Sequence, residues 1–542
     1  MSQRIPPGQM QRRMLTIGML IDHAERNHGG TEIVSRRVEG DIHRSNWTQV
    51  AARARRVARW LDASGVEPGD RVSTIAWNGY RHLELYFGVS ASGRILHTVN
   101  PRLAPQQIAW MLGDAGSRVV CFDTTFAPLV EAVKPHCPGV AQWVELAGNG
   151  RPDDYETLIG AQSDAPLDWP ALDEEAASSL CYTSGTTGNP KGVLYSHRSS
   201  VLHAYGVALP DSLGLSARNS VMPVVPMFHV NAWGVPYAAA LTGCKLVFPG
   251  PRLDGASVHE LMEAEAVDIS PGVPTVWQML LDHVERHALR FGSLRRLVVG
   301  GAACPPALIR AFQGRHGVEV IHAWGMTELS PLGTVNQPKR SQAGLDDGAR
   351  VALQAKQGRA VCGVEMRLVD ANGADLPFDG RSQGELLVRG PWVVERYFNH
   401  ERPATEDGWF RTGDVACIDA EGFMQITDRA KDLIKSGGEW ISSIDVENAA
   451  LEHPAVAMAA CIGVPDPKWD ERPLLLAVLR PGAEVSGDAL RGFLAGRLPK
   501  WQVPDAVEFV DALPIGPTGK IAKQPLRERF AARRSDAAAV AA

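Results

Sequence analysis

The sequence has 542 residues, a formal net charge of −6 and 45% apolar residues. A chain of this length exceeds what one hydrophobic core organises, so we expect more than one domain. The slightly acidic balance gives no basic footprint and argues against a nucleic-acid-binding protein. No stretch approaches the roughly 18 uninterrupted apolar residues of a membrane span, and residues 1–23 lack a signal-peptide core.

The eight cysteines are scattered along the chain, without a CxxC pair or a cluster with histidine. This spacing is typical of reduced thiols and not of a disulfide framework or a zinc site. We therefore expect a cytoplasmic protein.

Helical and strand patterns alternate in the first part of the chain. In SNWTQVAARARRVARWLDASG, the apolar residues Val50, Ala54, Val57 and Leu61 recur at helical spacing up to Gly65. Short β-rich runs, such as RVSTIAWNG and SRVVCFD, lie between helical patterns. This alternation indicates parallel sheets covered by helices, where ligands bind at the carboxyl ends of strands.

The same pattern returns later and then changes. The segment LRRLVVGGAACPPALIRAFQGRHGVEVIHAWG predicts a strand near Leu297–Val299, a helix from Pro305 and a strand near Val318–His322. From about Gly384, short strands joined by tight turns dominate. We place a domain boundary at Asp428, which gives an N-terminal domain, 1–427, and a C-terminal domain, 428–542.

A glycine- and threonine-rich stretch, CYTSGTTGNPKGVLYSH, occupies residues 181–197. A turn of this kind presents backbone N–H groups to anionic oxygens, and its hydroxyls add donors. It is not the P-loop pattern, because Lys191 lies three residues after Gly188 instead of directly after it. The stretch predicts either a different phosphate-binding loop or an ordinary polar surface turn.

Four further segments follow in order: GGAACP with HAWGMTELSP, WFRTGDV, ITDRAKDLIKSGGEWIS and LPIGPTGKI. Together with the glycine-rich stretch, they resemble the adenylate-forming superfamily of acyl-CoA ligases, luciferases and peptide-synthetase adenylation domains. IAWNGYRHLELYFGVSASG, PVVPMFHVNAWGVPY and KSGGEWISS look closest to bacterial medium-chain fatty acyl-CoA ligases. The resemblance runs from the first helix to Lys520.

This resemblance implies an α/β fold of two parts. A large N-terminal AMP-binding and acyl-binding domain has helix-covered sheets and a small β-rich subdomain. A small, mobile α+β C-terminal domain carries the catalytic lysine and turns at a hinge, Asp428. In this family ATP and CoA are co-substrates and Mg²⁺ is the metal cofactor.

The resemblance also implies a nucleotide site. The residues expected to bind ATP or AMP are Thr183, Ser184, Gly185, Thr186, Thr187, Gly188, Lys191, Gly300, Gly301, Ala302, Trp324, Gly325, Thr327, Asp414 and Arg429. Within this set, Trp324 would stack on adenine and Asp414 would bind the ribose hydroxyls. Glu328 would be the carboxylate that holds Mg²⁺, which usually takes one or two carboxylates beside phosphate oxygens. The alternative for Trp324 and Glu328 is a buried ring and a helix-capping acid.

Lys520, in PTGKI, is the expected principal catalytic residue, with Thr327, Glu328 and His229 beside it. Attack of a carboxylate on the α-phosphate of ATP gathers negative charge, which a lysine placed there would stabilise. A lone lysine in a loop would otherwise be read as an exposed surface residue.

The remaining implied residues belong to the acyl and CoA sites. Trp233, Val230 and Val276 would line the acyl tunnel, with Trp233 as its gate, and His229 would stand between the two sites. The hinge and CoA residues would be Asp428, Lys435, Gly437, Gly438 and Trp440. Simple core packing is the alternative for His229 and Trp233. Where many members of the superfamily have proline after this glycine pair, the chain has Ser442-Ser443.

The expected function is ATP-dependent ligation of a fatty acid, of medium chain length, to CoA, with release of AMP and pyrophosphate. One alternative is a ligase for a short functionalised acid, such as a methylthiopropionate or aryl acid. A second is a non-catalytic nucleotide or acyl-CoA sensor, which would not need to keep Glu328, Asp414, Arg429 and Lys520. A third is the loading of a separate carrier protein. The resemblance further implies a homodimer, in which residues 1–30 could exchange between subunits.

Overall fold

The computed structural model describes residues 8–163, 165–183, 189–429, 431–436, 439–517 and 519–530. Several local predictions are confirmed. The predicted amphipathic helix spans Trp47–Ala63, and the Asn46 side chain caps its first turn. The runs RVSTI and SRVVCF form strands Arg71–Ile75 and Ser117–Phe122.

The strands of the large N-terminal part alternate with helices, as predicted. In chain order they are β1 (Glu32–Arg36), β2 (Ile42–Asn46), β3 (Arg71–Ile75), β4 (Ile95–Thr98), β5 (Ser117–Phe122), β6 (Gln142–Glu145), β7 (Ala177–Tyr182), β8 (Gly192–Ser196), β9 (Ser220–Val221), β10 (Lys245–Phe248), β11 (Ile269–Gly272), β12 (Arg296–Val299), β13 (Glu319–Gly325), β14 (Leu332–Val335) and β15 (Arg359–Ala360). They form two sheets, ordered β6-β5-β3-β4-β7-β8 and β15-β14-β13-β12-β11-β9-β10-β1-β2. The central strands of both sheets are parallel, and antiparallel pairs occur at their edges.

Helices lie between and outside these two sheets, and the last two of the chain pack instead in the core of the C-terminal domain. Their bounds are Ile17–His28, Trp47–Ala63, Tyr80–Ala91, Pro105–Asp114, Ala127–Val133, Tyr155–Gly160, His197–Ala208, Val235–Thr242, Gly255–Ala264, Pro274–Arg286, Pro306–Arg310, Asp347–Gln354, Ser443–Leu451 and Gly487–Ala495. The helix Tyr80–Ala91 is buried at every position. One hydrophobic core includes residues of this helix and of both sheets, so the helix is covered on all sides.

Two smaller sheets follow toward the C-terminus. Their strands are β16 (Glu365–Val369), β17 (Gly384–Arg389), β18 (Thr405–Glu406), β19 (Trp409–Ile418) and β20 (Met424–Arg429), then β21 (Ile434–Ser436), β22 (Glu439–Ile441), β23 (Val456–Asp466), β24 (Asp470–Leu479) and β25 (Ala506–Phe509). The first five form the antiparallel β-rich subdomain, and the last five form the sheet of the C-terminal domain. The α/β fold class is therefore confirmed.

The predicted hinge residue, Asp428, lies inside β20, where it pairs with Val415, and Arg429 pairs with Asp414. The strand therefore continues one residue beyond the predicted boundary. The Asp428 carboxylate is buried and accepts hydrogen bonds from the backbone N–H and the hydroxyl of Ser443, at the start of helix Ser443–Leu451. One of the serines that replace the usual proline thus binds the residue predicted to be the hinge.

Among the described residues, no helix has both the length and the apolar character needed to cross a bilayer. All eight cysteines are free thiols. Seven of them are buried, and only Cys362 is exposed.

Candidate active site

A cleft of about 270 Å³ lies where the nine-stranded sheet, the β-rich subdomain and the loop that carries Lys520 meet. It brings together residues that are up to several hundred positions apart in the chain. The predicted site residues that line it are Thr183, His229, Val230, Trp233, Gly300, Gly301, Trp324, Gly325, Thr327, Glu328, Arg429 and Lys520. They follow the carboxyl ends of parallel strands or extend toward them, as expected for this fold class.

Two glycines open the floor of the cleft directly after β12. A side chain at Gly300 would place its Cβ 2.9 Å from the ring of Trp233, and a Cβ at Gly301 would lie 3.3 Å from Lys520 Cε. Gly301 also has a φ of +82°, which favours glycine. The glycine pair therefore leaves room for both side chains.

Lys520 reaches this floor from the C-terminal domain. Removal from solvent and the nearby positive charge of Arg429 lower the pKa of Lys520 to about 8, against the opposing effect of Asp414. The ammonium group is therefore the main form at neutral pH, but by a smaller margin than for an ordinary lysine.

Trp324, at the end of β13, and Asp414, in β19, are joined by a hydrogen bond. The indole Nε1 donates to Asp414 Oδ2 at 2.9 Å, and both side chains are buried. Arg429 Nε lies 3.5 Å from the other oxygen of the carboxylate. Burial raises the pKa of Asp414, whereas Arg429 and the indole act in the opposite direction. The Trp324 ring lines the cleft, and the Asp414 carboxylate is held beside the ring without itself belonging to the lining, an arrangement suited to a nucleoside.

Glu328 is buried and lines the same cleft, and the Tyr397 hydroxyl donates to its Oε1 at 2.8 Å. Burial raises the pKa of Glu328, although Tyr397 and the positive charges of Arg429 and Lys191 act against this effect. The Lys191 ammonium lies 4.8 Å from the centre of the Tyr397 ring. A carboxylate that faces a cleft next to a lysine is suited to a site that binds a metal ion and phosphates.

The base of the glycine-rich loop is closed by two hydrogen bonds. Thr183 N donates to Lys191 O at 2.9 Å, and Lys191 N donates to Thr183 Oγ1 at 3.1 Å. The predicted phosphate-binding residues between them, Ser184, Gly185, Thr186, Thr187 and Gly188, lie outside the described residues. The loop begins at Thr183, which itself lines the cleft.

His229 precedes a left-handed turn. The φ angles of Val230, Asn231, Ala232 and Trp233 are +47°, +50°, +49° and +57°. Several such residues in succession are rare for L-amino acids, because Cβ crowds the following carbonyl. The turn presents Val230 and Trp233 to the cleft.

Asn231 anchors this turn to the neighbouring sheet. Its amide Nδ2 donates to Ser179 Oγ at 3.0 Å, and its Oδ1 accepts from Thr98 Oγ1 at 3.3 Å. Asparagine also tolerates the left-handed region better than most residues.

Removal from solvent, together with Lys520 and Arg102, lowers the pKa of His229 to about 3, so its imidazole is neutral at neutral pH.

Other predicted residues lie apart from the cleft lining. Val276 packs in a second hydrophobic core, and Ala302 is exposed behind the glycine pair. Lys435 and Trp440 pair across β21 and β22 of the C-terminal domain, where both are exposed. Gly437 and Gly438 lie outside the described residues. The roles of this group stay predictions.

Sequence reasoning missed much of the apolar wall of the cleft. This wall includes Val207, Leu213, Val225, Val273, Val298 and Leu332. It also missed Tyr397 and Asn231, which contact the predicted residues. Val225 and Asn231 lie in the quoted segment PVVPMFHVNAWGVPY but were given no role there, and the other positions come from different helices, strands and loops.

Comparisons with known proteins identify the family of the chain. Residues 21–398 match the AMP-binding enzyme family and residues 445–520 match the AMP-binding enzyme C-terminal domain. A 3-methylmercaptopropionyl-CoA ligase of Ruegeria pomeroyi is 52% identical over 96% of this chain and 98% of its own length. A medium-chain-fatty-acid–CoA ligase of Ectopseudomonas oleovorans is 51% identical over 96% of this chain and 97% of its own.

A solved structure has the same fold. The crystal structure of the anthranilate CoA ligase AuaEII, in complex with anthranoyl-AMP, superposes with a TM-score of 0.85. It covers 95% of this chain and 98% of its own at 26% identity. The two family matches, the long relatives and the shared fold show that the chain belongs to the AMP-binding enzyme family, the adenylate-forming superfamily that includes the acyl-CoA ligases.

Proposed function

We propose that the protein joins a medium-chain fatty acid to CoA at the expense of ATP, through an acyl-adenylate. One observation carries this proposal: Lys520 and Trp324 line the same cleft, next to an apolar wall, and Trp324 is hydrogen-bonded to the buried Asp414. The cleft thus offers a nucleoside site, a cation and an apolar surface together. These are the features needed to bring a carboxylate to the α-phosphate of a nucleotide.

In the first step, a carboxylate oxygen of the acid forms a bond to the α-phosphorus of ATP. The bond from that phosphorus to the bridging oxygen breaks, and pyrophosphate leaves with the electron pair. Lys520 stabilises the negative charge that gathers on the carboxylate and α-phosphate oxygens. Trp324, Asp414 and Arg429 hold the nucleoside in place.

In the second step, the sulfur of CoA attacks the carbonyl carbon of the acyl-adenylate. The thiol proton passes to solvent, the bond from the carbonyl carbon to the phosphate oxygen breaks, and AMP leaves with the electron pair. A carboxylate alone would be a poor acyl donor because its oxygen leaves badly, so the first step supplies a better leaving group. His229, which is neutral, stands beside the apolar wall where the carbonyl would lie.

The residues of the cleft fit Mg²⁺. Within the described residues there is no cluster of three acidic, histidine or cysteine ligands. Mg²⁺ bound with ATP does not need one, because it takes one or two carboxylates beside phosphate oxygens and water. Glu328 is the carboxylate that would hold it, and the ion would neutralise phosphate charge during the transfer.

The apolar wall of the cleft determines which acyl groups the site accepts. An apolar wall with few polar groups selects for size and apolarity more than for a particular substituent. The relative that acts on medium-chain fatty acids supports a straight chain. The similarly close 3-methylmercaptopropionyl-CoA ligase supports a short thioether acid as the second candidate.

We expect the purified protein to release pyrophosphate from ATP and Mg²⁺ most rapidly with straight-chain acids of intermediate length. A panel of acids from about four to eighteen carbons, with and without CoA, tests this expectation, because pocket size sets the preference. 3-Methylthiopropionate and an aryl acid belong in the same panel.

The outcomes separate the candidates. If CoA-dependent pyrophosphate release is fastest at intermediate chain length, the result supports a medium-chain fatty acid as the substrate. If it is fastest with 3-methylthiopropionate, the result supports the second candidate instead. Pyrophosphate release that CoA does not stimulate points to a carrier protein as acceptor. If no acid causes pyrophosphate release, the result contradicts the proposed ligase activity and favours a non-catalytic sensor.

The pKa of Lys520 predicts how the rate depends on pH. Since the charged form is the active one and the pKa is lowered to about 8, kcat/KM for ATP should fall as pH rises through about 8. An ordinary lysine would give no fall until about pH 10.4. The rate of adenylate formation should be measured between about pH 6 and pH 10, because this range includes the expected fall in rate, the alkaline limb of the profile.

The control for this profile is Lys520→Arg. Arginine stays charged throughout the range, so the residual activity of the variant should lack the alkaline limb. A wild-type profile that is flat to the upper end of the range would contradict the assignment of Lys520.

The free thiols and the family resemblance bear on the location and the oligomeric state of the protein. Eight free thiols support a location in the cytoplasm, where thiols stay reduced. The family resemblance supports a homodimer. Light scattering on the purified chain would decide between one and two copies.

A further inference from the structure

Two side chains of the N-terminal domain hold the loop that carries Lys520. Asn100 Nδ2 donates to Pro517 O at 3.2 Å, and Thr275 Oγ1 donates to Gly519 O at 3.1 Å. The two acceptors are backbone carbonyls on either side of Thr518, which lies outside the described residues. Both bonds therefore fix the position of the loop independently of its side chains.

Each donor stands on a rigid part of the fold. Asn100 follows β4 of the six-stranded sheet, is buried, and accepts a hydrogen bond at its Oδ1 from Arg102 N at 3.0 Å. Thr275 is the second residue of the helix Pro274–Arg286, which follows β11 of the nine-stranded sheet. The loop is thus held between the carboxyl ends of strands from both sheets.

The loop cannot set its own position in the cleft. The backbone bonds from Gly516 N to Lys520 O and from Ala522 N to Pro514 O close a turn. Because both partners of each bond belong to the loop, these bonds do not attach it to the N-terminal domain. Other polar contacts join the two domains without involving the loop, such as the exposed ion pair between Arg480 and Asp282, which contributes little. The placement of Lys520 against Gly301 therefore depends on nearby contacts to the N-terminal domain.

We propose that Asn100 and Thr275 are positioning residues, which hold the loop so that the Lys520 ammonium stays in the cleft during adenylate formation. This inference rests on the proposed function. Neither side chain lines the cleft, so both act through Lys520 and not on the substrate. They should therefore serve the first half-reaction, and transfer from a preformed acyl-adenylate to CoA should not need them.

Nearly isosteric variants test this inference. Thr275→Val removes the hydroxyl donor, and Asn100→Asp removes the amide donor but keeps the oxygen that accepts from Arg102. Each should lower the rate of pyrophosphate release about 3- to 10-fold, as expected for the loss of one hydrogen bond. The rate of acyl-CoA formation from supplied acyl-adenylate should stay within about two-fold of wild type. Thr275→Ser keeps the hydroxyl donor, so its rate of pyrophosphate release should match that of the wild type.

The coupling to Lys520 gives a second readout. In a Lys520→Met background, Thr275→Val and Asn100→Asp should cause no further loss of pyrophosphate release, because they act through the missing ammonium. Additive losses would contradict the inference. Equal losses in both half-reactions, or a lowered melting temperature that accounts for them, would also contradict it.

Two control variants separate the loop contacts from general effects. Thr242→Val makes the same exchange at a hydroxyl that donates to Ala238 O within a helix, far from the loop. Arg480→Gln breaks the exposed ion pair to Asp282 and weakens domain contact without touching the loop. Both should keep the wild-type ratio of the two half-reactions, and a changed ratio in Arg480→Gln would overturn the specific role of Asn100 and Thr275.

Failure of the inference and failure of the proposed function give different results. If the wild-type protein forms no acyl-adenylate with any acid, the proposed function fails. If the wild-type protein is active and the Asn100 and Thr275 variants match it in both half-reactions, only the positioning role fails.

Discussion

Replacement of Lys520 by methionine is expected to lower the rate of acyl-adenylate formation by about 100- to 1,000-fold, the usual loss for one preorganised group that stabilises transition-state charge. Methionine keeps most of the apolar length of lysine but carries no charge. Among the described residues of the turn that carries it, Lys520 makes hydrogen bonds only through its backbone. Pyrophosphate release with acid, ATP and Mg²⁺ measures the effect.

The same variant should still transfer an acyl group from supplied acyl-adenylate to CoA at close to the wild-type rate. The α-phosphate bond is already made in that substrate, so charge no longer gathers where Lys520 acts. Lys468→Met is the matched control, because Lys468 is an exposed lysine of the same domain that lies over Trp469. Equal loss of both half-reactions in Lys520→Met would contradict the assigned role.

Replacement of Asp414 by asparagine is expected to weaken ATP binding by about 10- to 150-fold, the equivalent of roughly 1.5–3 kcal/mol for a hydrogen bond to a charged group. The amide has nearly the same shape and retains an oxygen for the Trp324 indole, so the ring should stay in place. The negative charge that pairs with Arg429, and that is proposed to bind the ribose hydroxyls, would be lost. Calorimetric titration with ATP, without acid, measures the affinity.

Asp419→Asn is the control for this prediction. Asp419 belongs to the same β-rich subdomain but pairs with Lys356 at 2.6 Å, and Lys356 does not line the cleft, whereas Trp324 and Arg429, the partners of Asp414, do. Its replacement should leave ATP affinity unchanged, even if it lowers the melting temperature. Unchanged ATP affinity in Asp414→Asn would exclude the ribose-binding role.

Local features of the fold were predictable because they depend on near neighbours in the chain. The helix Trp47–Ala63 follows from apolar residues at helical spacing and from a capping asparagine. The strands beside Gly300 and Gly301 follow from short β-branched runs that end in a turn. At Asp428, β20 continues to pair with β19 past the position where the sequence pattern changes, and the domain boundary there stays a prediction.

The candidate site was predictable only in part. Lys520, Trp324, Asp414 and Glu328 stand in segments whose order resembles a known family, so each could be named before the fold was seen. Asn100 and Thr275 could not, because each is a common residue in an unremarkable segment, and its partner is a backbone carbonyl far away in sequence. The left-handed turn at Val230–Trp233 carries no signal either, since none of these residue types except asparagine favours it.

The sequence by itself determined the family, the α/β fold class and the chemical groups available for catalysis. These depend on residue types and on their order, both of which can be read along the chain. The tertiary structure alone decided which side chains meet: the apolar wall, the hydrogen bond from Trp324 to Asp414, and the contacts that hold the Lys520 loop. Such contacts join residues that are far apart in the chain, and they form only when the packing of two sheets, the subdomain and the C-terminal domain brings them within a few ångströms.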